Sequence, residues 1–97
     1  MARLRYTARA LEDLERLLSF LEELSPESVE ASLDTILRAL DAAALHPLIG
    51  RRVGAGLREL VISRGATGYL ALYDFDAARG LVHVLRIRHQ REAGYLD

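Results

Sequence analysis

Arg86, Arg88, His89, Arg91 and Tyr95 are residue types that hold phosphates or move protons, and they fall within ten positions of one another. A guanidinium offers a planar fork of donors that matches a phosphate or carboxylate, an imidazole titrates near neutral pH, and a phenol donates a proton or, once ionised, accepts one. They lie in or just beyond LVHVLRIRH, Leu81 to His89, an apolar run that reads as a core β-strand. Alternation along a strand predicts one face of Leu81, His83, Leu85, Ile87 and His89, and an opposite face of Val82, Val84, Arg86 and Arg88. The second face begins apolar and turns strongly positive, which makes its end a candidate site. A solvated sheet face explains Arg86 and Arg88 equally well.

Other elements must hold that strand in place. Arg3 to Tyr6 is short and can pair as a first strand. Thr7 offers a helix N-cap, and Ala10, Leu11, Leu14, Leu17, Leu18, Leu21 and Leu24 recur at helical spacing, with Glu12, Asp13, Glu15 and Arg16 mostly elsewhere on the wheel. Ser25-Pro26-Glu27 stops this helix and starts another, Ser25 as cap and Pro26 in the first turn. The second helix carries Val29, Leu33, Ile36, Leu37, Leu40 and Ala44 and ends near His46 and Pro47. So short a link predicts an antiparallel helix hairpin. Leu48 to Gly56 reads as a loop. It lacks the lysine and Ser/Thr of a phosphate-binding loop, so nucleotide binding is disfavoured. Three strands follow, Leu57 to Ser63, Gly68 to Phe75 and Leu81 to His89, joined by short turns at Gly65 and at Ala77 to Gly80. The expected fold is α+β: a first short strand, a helix hairpin, and a three-stranded antiparallel meander with one face under the helices.

Ninety-seven residues bury one core and leave little room for a deep cleft, so a single domain with an open site is expected. The chain has no cysteine, which excludes disulfide and thiolate chemistry and suits a reducing cytoplasm. No apolar run approaches the roughly 20 residues of a membrane span, and MARLRY lacks a signal peptide's apolar core. The net charge of −1 hides an asymmetry: residues 1–50 carry 5 Arg against 9 acidic residues (−4), and residues 51–97 carry 8 Arg against 5 (+3). All 13 basic residues are arginine, which codon bias explains as readily as a guanidinium-specific role.

Within this order of elements stand HP-x-x-G-R (His46, Pro47, Gly50, Arg51), L-R-E-L (Leu57 to Leu60), G-Y-x-x-L-Y (Gly68, Tyr69, Leu72, Tyr73) and V-L-R-I-R-H-Q (Val84 to Gln90). Their joint order and spacing resembles the RelE/ParE superfamily of bacterial type II toxins across nearly the whole chain. The resemblance implies a β-α-α-β-β-β fold over residues 1–97. It also implies a cytoplasmic toxin, encoded beside a ParD- or RelB-like antitoxin that wraps it in a hetero-oligomer. RelE-type members cleave mRNA on the ribosome, whereas ParE-type members poison DNA gyrase.

RNA cleavage needs a base for the 2′-hydroxyl, an acid for the leaving oxygen and cations on the pentavalent phosphate. RelE-like nucleases carry Y-R-x-x-Y in the middle strand; here Leu70 stands in the arginine's place, and Glu59 and Val61 fall near the expected basic pair. Losing one charge-stabilising donor costs about two to three orders of magnitude in rate. On the nuclease side the resemblance supplies His89, Tyr95 and Arg91 as catalytic residues. On the ParE side it asks only for a binding surface, for which Arg58, Arg86, Arg88, Arg91 and Tyr95 are the candidates, Arg and Tyr being common interface anchors. The ParE-like reading, gyrase inhibition, is preferred.

Neither reading calls for a cofactor or a metal. His46, His83 and His89 lack ligand spacing, and His83 reads as a packed histidine. Duplex DNA reading is disfavoured because neither helix has a basic face, while a non-enzymatic RNA-binding module stays open through the arginine cluster. A basic antitoxin segment along Glu22, Glu23, Glu27 and Glu30 and a solvated helix face account equally for those acids.

Overall fold

The computed structural model describes residues 1–63, 68–92 and 94–95. The elements are β1 (Arg3–Tyr6), α1 (Ala8–Leu24), a 3-10 turn (Pro26–Ser28), α2 (Val29–Leu45), β2 (Arg51–Gly54), β3 (Leu57–Ile62), β4 (Tyr69–Asp76) and β5 (Leu81–His89). They form one five-stranded sheet in the order β1-β5-β4-β3-β2. β1 returns beside the last strand and runs parallel to it, and the other neighbours are antiparallel. The α+β architecture is the expected one, with one strand more. Arg51–Gly54, expected within a loop, pairs with β3 as an exposed edge strand. The glycines that suggested a loop build its turn instead, since Gly54 and Gly56 have φ of 98° and 74°, where a side chain would be strained. The turn expected at Gly65 lies outside the described residues.

Thr7 caps α1 as expected, its Oγ1 accepting the Ala10 N–H at 2.9 Å. Ser25 closes α1, giving its N–H to Leu21 O, and the cap expected of it on α2 is replaced by the 3-10 turn. Both helices cover one sheet face. Ala10 and Leu17 of α1 and Ile36, Leu40 and Ala43 of α2 pack on Leu60, Ile62, Tyr69, Ala71, Tyr73, Val82, Val84 and Ile87. Leu11, Leu24 and Leu37, assigned to the apolar stripes, remain exposed together with Phe20.

The expected alternation along β5 is overturned by a bulge. Leu72 stands opposite Arg86 but Tyr73 stands opposite Val84, so Leu85 is the extra residue and parity inverts beyond it. Val82, Val84 and Ile87 are all fully buried on the helix side. His83 therefore shares the outer face with Arg86 and Arg88, while His89 follows Ile87 to the helix side. Burying each such side chain is worth about 1.5–3 kcal/mol, more than the roughly 1 kcal/mol net of a ladder hydrogen bond. The bulge also loses little of its bonding. Thr7 N–H donates to Val84 O at 3.0 Å and Thr7 Oγ1 to Leu85 O at 2.7 Å. Beyond the end of β1, the Asp13 carboxylate accepts the Ile87 N–H at 2.9 Å.

Candidate functional site

The bulge sets what the outer sheet face displays. Across it run the rows Glu59–Leu72–Arg86 and Val61–Leu70–Arg88. Tyr95 lies over these rows. Its hydroxyl donates to Glu59 Oε2 at 2.8 Å, and the Arg86 and Arg88 guanidinium carbons stand 5.7 and 5.2 Å from its ring centre, within cation–π range. The other Glu59 oxygen accepts from Arg51, through Nε at 3.1 Å and through Nη2. Arg86 grips Asp13 with two arms, Nε to Oδ2 at 2.8 Å and Nη2 to Oδ1 at 3.1 Å. Arg88 donates through Nη1 to the main-chain oxygen of Glu92 at 2.6 Å.

These contacts fix protonation. Burial by itself would raise the Glu59 carboxyl, but hydrogen bonds from Arg51 and Tyr95 and the charges of Arg51 and Arg88 hold it below its ordinary value. Asp13 follows the same pattern: burial opposes ionisation, and Arg86, the Ile87 N–H and Arg16 outweigh it. Tyr95 is driven the other way, first by burial and then by its bond to the Glu59 carboxylate and that charge, so its phenol stays protonated well above the usual range. At neutral pH the face thus holds an ionised carboxylate against a neutral phenol, framed by guanidiniums.

Of the residues expected at the site, the structure brings together Arg86, Arg88 and Tyr95. His89 is on the other side of β5, its ring edge-to-face with Tyr69 at 5.4 Å and its Nδ1 accepting the Arg91 N–H at 3.1 Å. That bond makes Nε2 the protonated nitrogen of the neutral ring. Arg91 is exposed beside it. Arg58 is occupied in the scaffold: Nη1 donates to Leu48 O at 3.1 Å and Gly50 O at 2.8 Å. The same stretch is held by buried Tyr73, whose hydroxyl donates to Pro47 O at 2.7 Å and accepts the Gly50 N–H at 2.9 Å. The HP-x-x-G-R segment is therefore a braced turn.

Sequence reasoning missed the acids. Asp13, 4% exposed, falls on the polar side of a helix wheel, and Glu59, 7% exposed, reads only as a departure from a basic pattern. Their partners, Arg86 and Tyr95, are 73 and 36 residues away, so no local spacing signals them. An opposite-charge pair enclosed by apolar residues, as in Leu57-Arg58-Glu59-Leu60, is the one hint available.

On the helix side, a groove of about 1000 Å³ opens between the C-terminal half of α1 and the start of α2. Leu17, Phe20, Leu21 and Leu24 make it apolar, and Arg16 and Arg91, beside His89 and Glu92, make its sheet end polar and basic. Among the described residues no three His, Asp or Glu side chains gather as metal ligands, and no helix is long and apolar enough to cross a membrane.

Residues 4–94 match the family described as the ParE toxin of the type II toxin-antitoxin system parDE. The chain is 37% identical over 86 residues to Toxin RelE3 of Caulobacter vibrioides, covering 87% of this chain and 89% of that one. Its fold matches the chromosomal ParDE toxin-antitoxin system of P. aeruginosa with a TM-score of 0.75 at 22% identity, over 92% of this chain and 96% of that one. It also matches the RelBE2 toxin-antitoxin complex of Mycobacterium tuberculosis with a TM-score of 0.59 at 26% identity, over 92% and 98%. With this sheet, this helix pair and these matches, the chain belongs to the ParE toxin family of type II toxin-antitoxin systems, within the RelE/ParE superfamily.

Proposed function

We propose that the protein, acting as a single toxin domain in the cytoplasm, arrests growth by binding and poisoning DNA gyrase, and that a cognate antitoxin neutralises it. The observation that carries this reading is the closed outer face. Both Glu59 oxygens and both arms of Arg86 are engaged inside the chain, and Leu70 sits beside Arg88 where a cation would serve a phosphate. Phosphodiester cleavage wants a base with an open lone pair and cations free to follow the developing charge. A rigid arginine–tyrosine surface suits recognition better, with Arg86, Arg88 and Tyr95 as its anchors and Arg58 bracing the turn behind, while Arg91, expected among them, lines the groove on the other side.

The antitoxin site is the groove. Its apolar wall and its Arg16 and Arg91 end, basic on balance although Glu92 lies there too, fit an amphipathic helical segment with carboxylates toward the sheet. Support for such a partner comes from the solved relatives, which are toxin-antitoxin assemblies.

A second reading, ribosome-dependent mRNA cleavage, is favoured by the relative named Toxin RelE3 and by the Glu59–Tyr95 pair, an ionised carboxylate 2.8 Å from a protonated phenol. Under it His89, Tyr95 and Arg91 are the catalytic residues, and His89 and Arg91 must swing toward the outer face on the ribosome. Adding purified protein to gyrase supercoiling and to translating ribosomes separates the two. Inhibited supercoiling with intact mRNA is expected; codon-specific mRNA cuts with gyrase untouched would reverse the order.

A further inference from the structure

The groove and the outer face lie on opposite sides of the sheet, yet one arginine belongs to the networks of both. Arg16 lines the groove on α1. Its Nη1 donates to Glu92 Oε1 at 3.2 Å, and its Nη2 stands 3.8 Å from Asp13 Oδ1. Each of those acids leads to the outer face. Asp13 holds Arg86. Glu92 accepts the His89 N–H at 3.0 Å and, on its main-chain oxygen, Arg88 Nη1. Arg86 and Arg88 are the guanidiniums that frame Tyr95 against Glu59. Polar or ring contacts therefore run unbroken from the groove wall to the Tyr95 hydroxyl.

The network is also short of its best bonding. Arg16 Nη2, Arg88 Nε and Glu92 Oε2 are buried without a hydrogen-bond partner. Buried polar groups are nearly always paired because an unpaired one gives up its hydration for nothing. Arg16, about one-third exposed at its side chain, has this Nη2 to offer to an acceptor brought into the groove, in exchange for its bond to Glu92.

We propose that Arg16 is a positioning residue that couples the groove to the outer face, so that a partner carboxylate drawing it into the groove loosens Arg86 and Arg88 around Tyr95. This rests on the groove being the partner's site, as inferred above, and adds how occupancy there alters the target-facing surface without touching it. The required difference between two states is the set of bonds Arg16 makes in each.

Removing the guanidinium mimics its withdrawal, and nitration of tyrosines by tetranitromethane, mapped by mass spectrometry on the intact purified chain, reads the result. In Arg16→Ala, Tyr95 should react at least fivefold faster than in wild type, while fully buried Tyr73 stays protected. Arg16→Lys, which keeps the charge, should lie within twofold of wild type. Leu24→Ser, on the same groove wall, should leave Tyr95 unchanged. An unaltered Tyr95 rate in Arg16→Ala, or an equal rise in Leu24→Ser, overturns the coupling. Where Arg16→Ala also exposes Tyr73, Arg16→Gln is judged by the same rates. The chain alone is used, so the outcome is independent of whether gyrase or the ribosome is the target.

Discussion

The carboxylate of Asp13 accepts the main-chain N–H of Ile87 at 2.9 Å and so stands in for a neighbouring strand where β1 has ended. The same carboxylate takes both arms of Arg86, the first residue past the bulge. A helix side chain thus completes the sheet edge, stabilises the inverted parity of β5 and aims an arginine at the outer face. Scaffold and candidate site share this one contact.

Asp13→Ala leaves the mostly buried Arg86 without this carboxylate and the Ile87 N–H without an acceptor. Breaking a buried ion pair from one side costs about 3–5 kcal/mol, and the partial exposure of Arg86 places this case near the low end. Urea denaturation should show a loss of about 3 kcal/mol. A loss under about 1 kcal/mol would mean that water replaces Asp13 freely.

Stability should form a plateau across neutral pH and fall on both sides. Asp13 and Glu59 are held below their ordinary values in the folded chain, so their contribution is complete above the unfolded carboxylate range, near pH 4, and is lost as acid protonates them. Tyr95 is raised, so its contribution is complete below the ordinary phenol value, about 10, and is lost in stronger alkali. Thermal melts from acid to alkaline pH test this, and Tyr95→Phe should reduce the alkaline limb, leaving the share of Tyr6, which burial also raises, and should soften the acid limb through the hydrogen bond that Glu59 loses.

Gly50→Ala should destabilise the turn before β2. A Cβ there would lie 2.7 Å from Tyr73 Cε1 and 3.0 Å from Glu59 O, and Tyr73 is fully buried with no room to retreat. Overpacking of this kind costs about 1–3 kcal/mol. Tyr73→Phe should cost a similar amount by orphaning the Gly50 N–H. Chemical denaturation checks both, and a neutral Gly50→Ala would show that the turn moves aside.

Leu24→Glu should weaken antitoxin binding without weakening the fold. The residue is 67% exposed, so its own burial adds little to stability, yet it lines the groove. Titration calorimetry with the antitoxin should show at least a tenfold loss of affinity, about 1.4 kcal/mol, with an unchanged melting temperature. Unaltered affinity would place the antitoxin elsewhere.

Arg88→Glu should reduce toxicity under either target. It reverses a charge that frames Tyr95 and lies near Glu59, so the outer face is rearranged as well as recharged. Growth after induced expression, with protein level verified, reads the effect. Wild-type toxicity in this variant would remove the arginine face from the mechanism.

The sequence by itself determined the elements that depend on near neighbours. Leucine spacing marked both helices, Thr7 marked the cap, Pro26 marked the break, and the apolar runs marked β3, β4 and β5. Arg86, Arg88 and Tyr95 were legible as a cluster because strand and tail carry them together. The tertiary structure alone decided which way they face. A one-residue bulge at Leu85 swaps every later side chain to the other side, and the contacts that support it come from Thr7 and Asp13, more than 70 residues earlier in the chain. It also decided that Glu59 and Asp13 sit among those arginines, and that His89 does not share their face. Periodicity is local, whereas the pairing of buried charges depends on what the fold brings within about 3 Å.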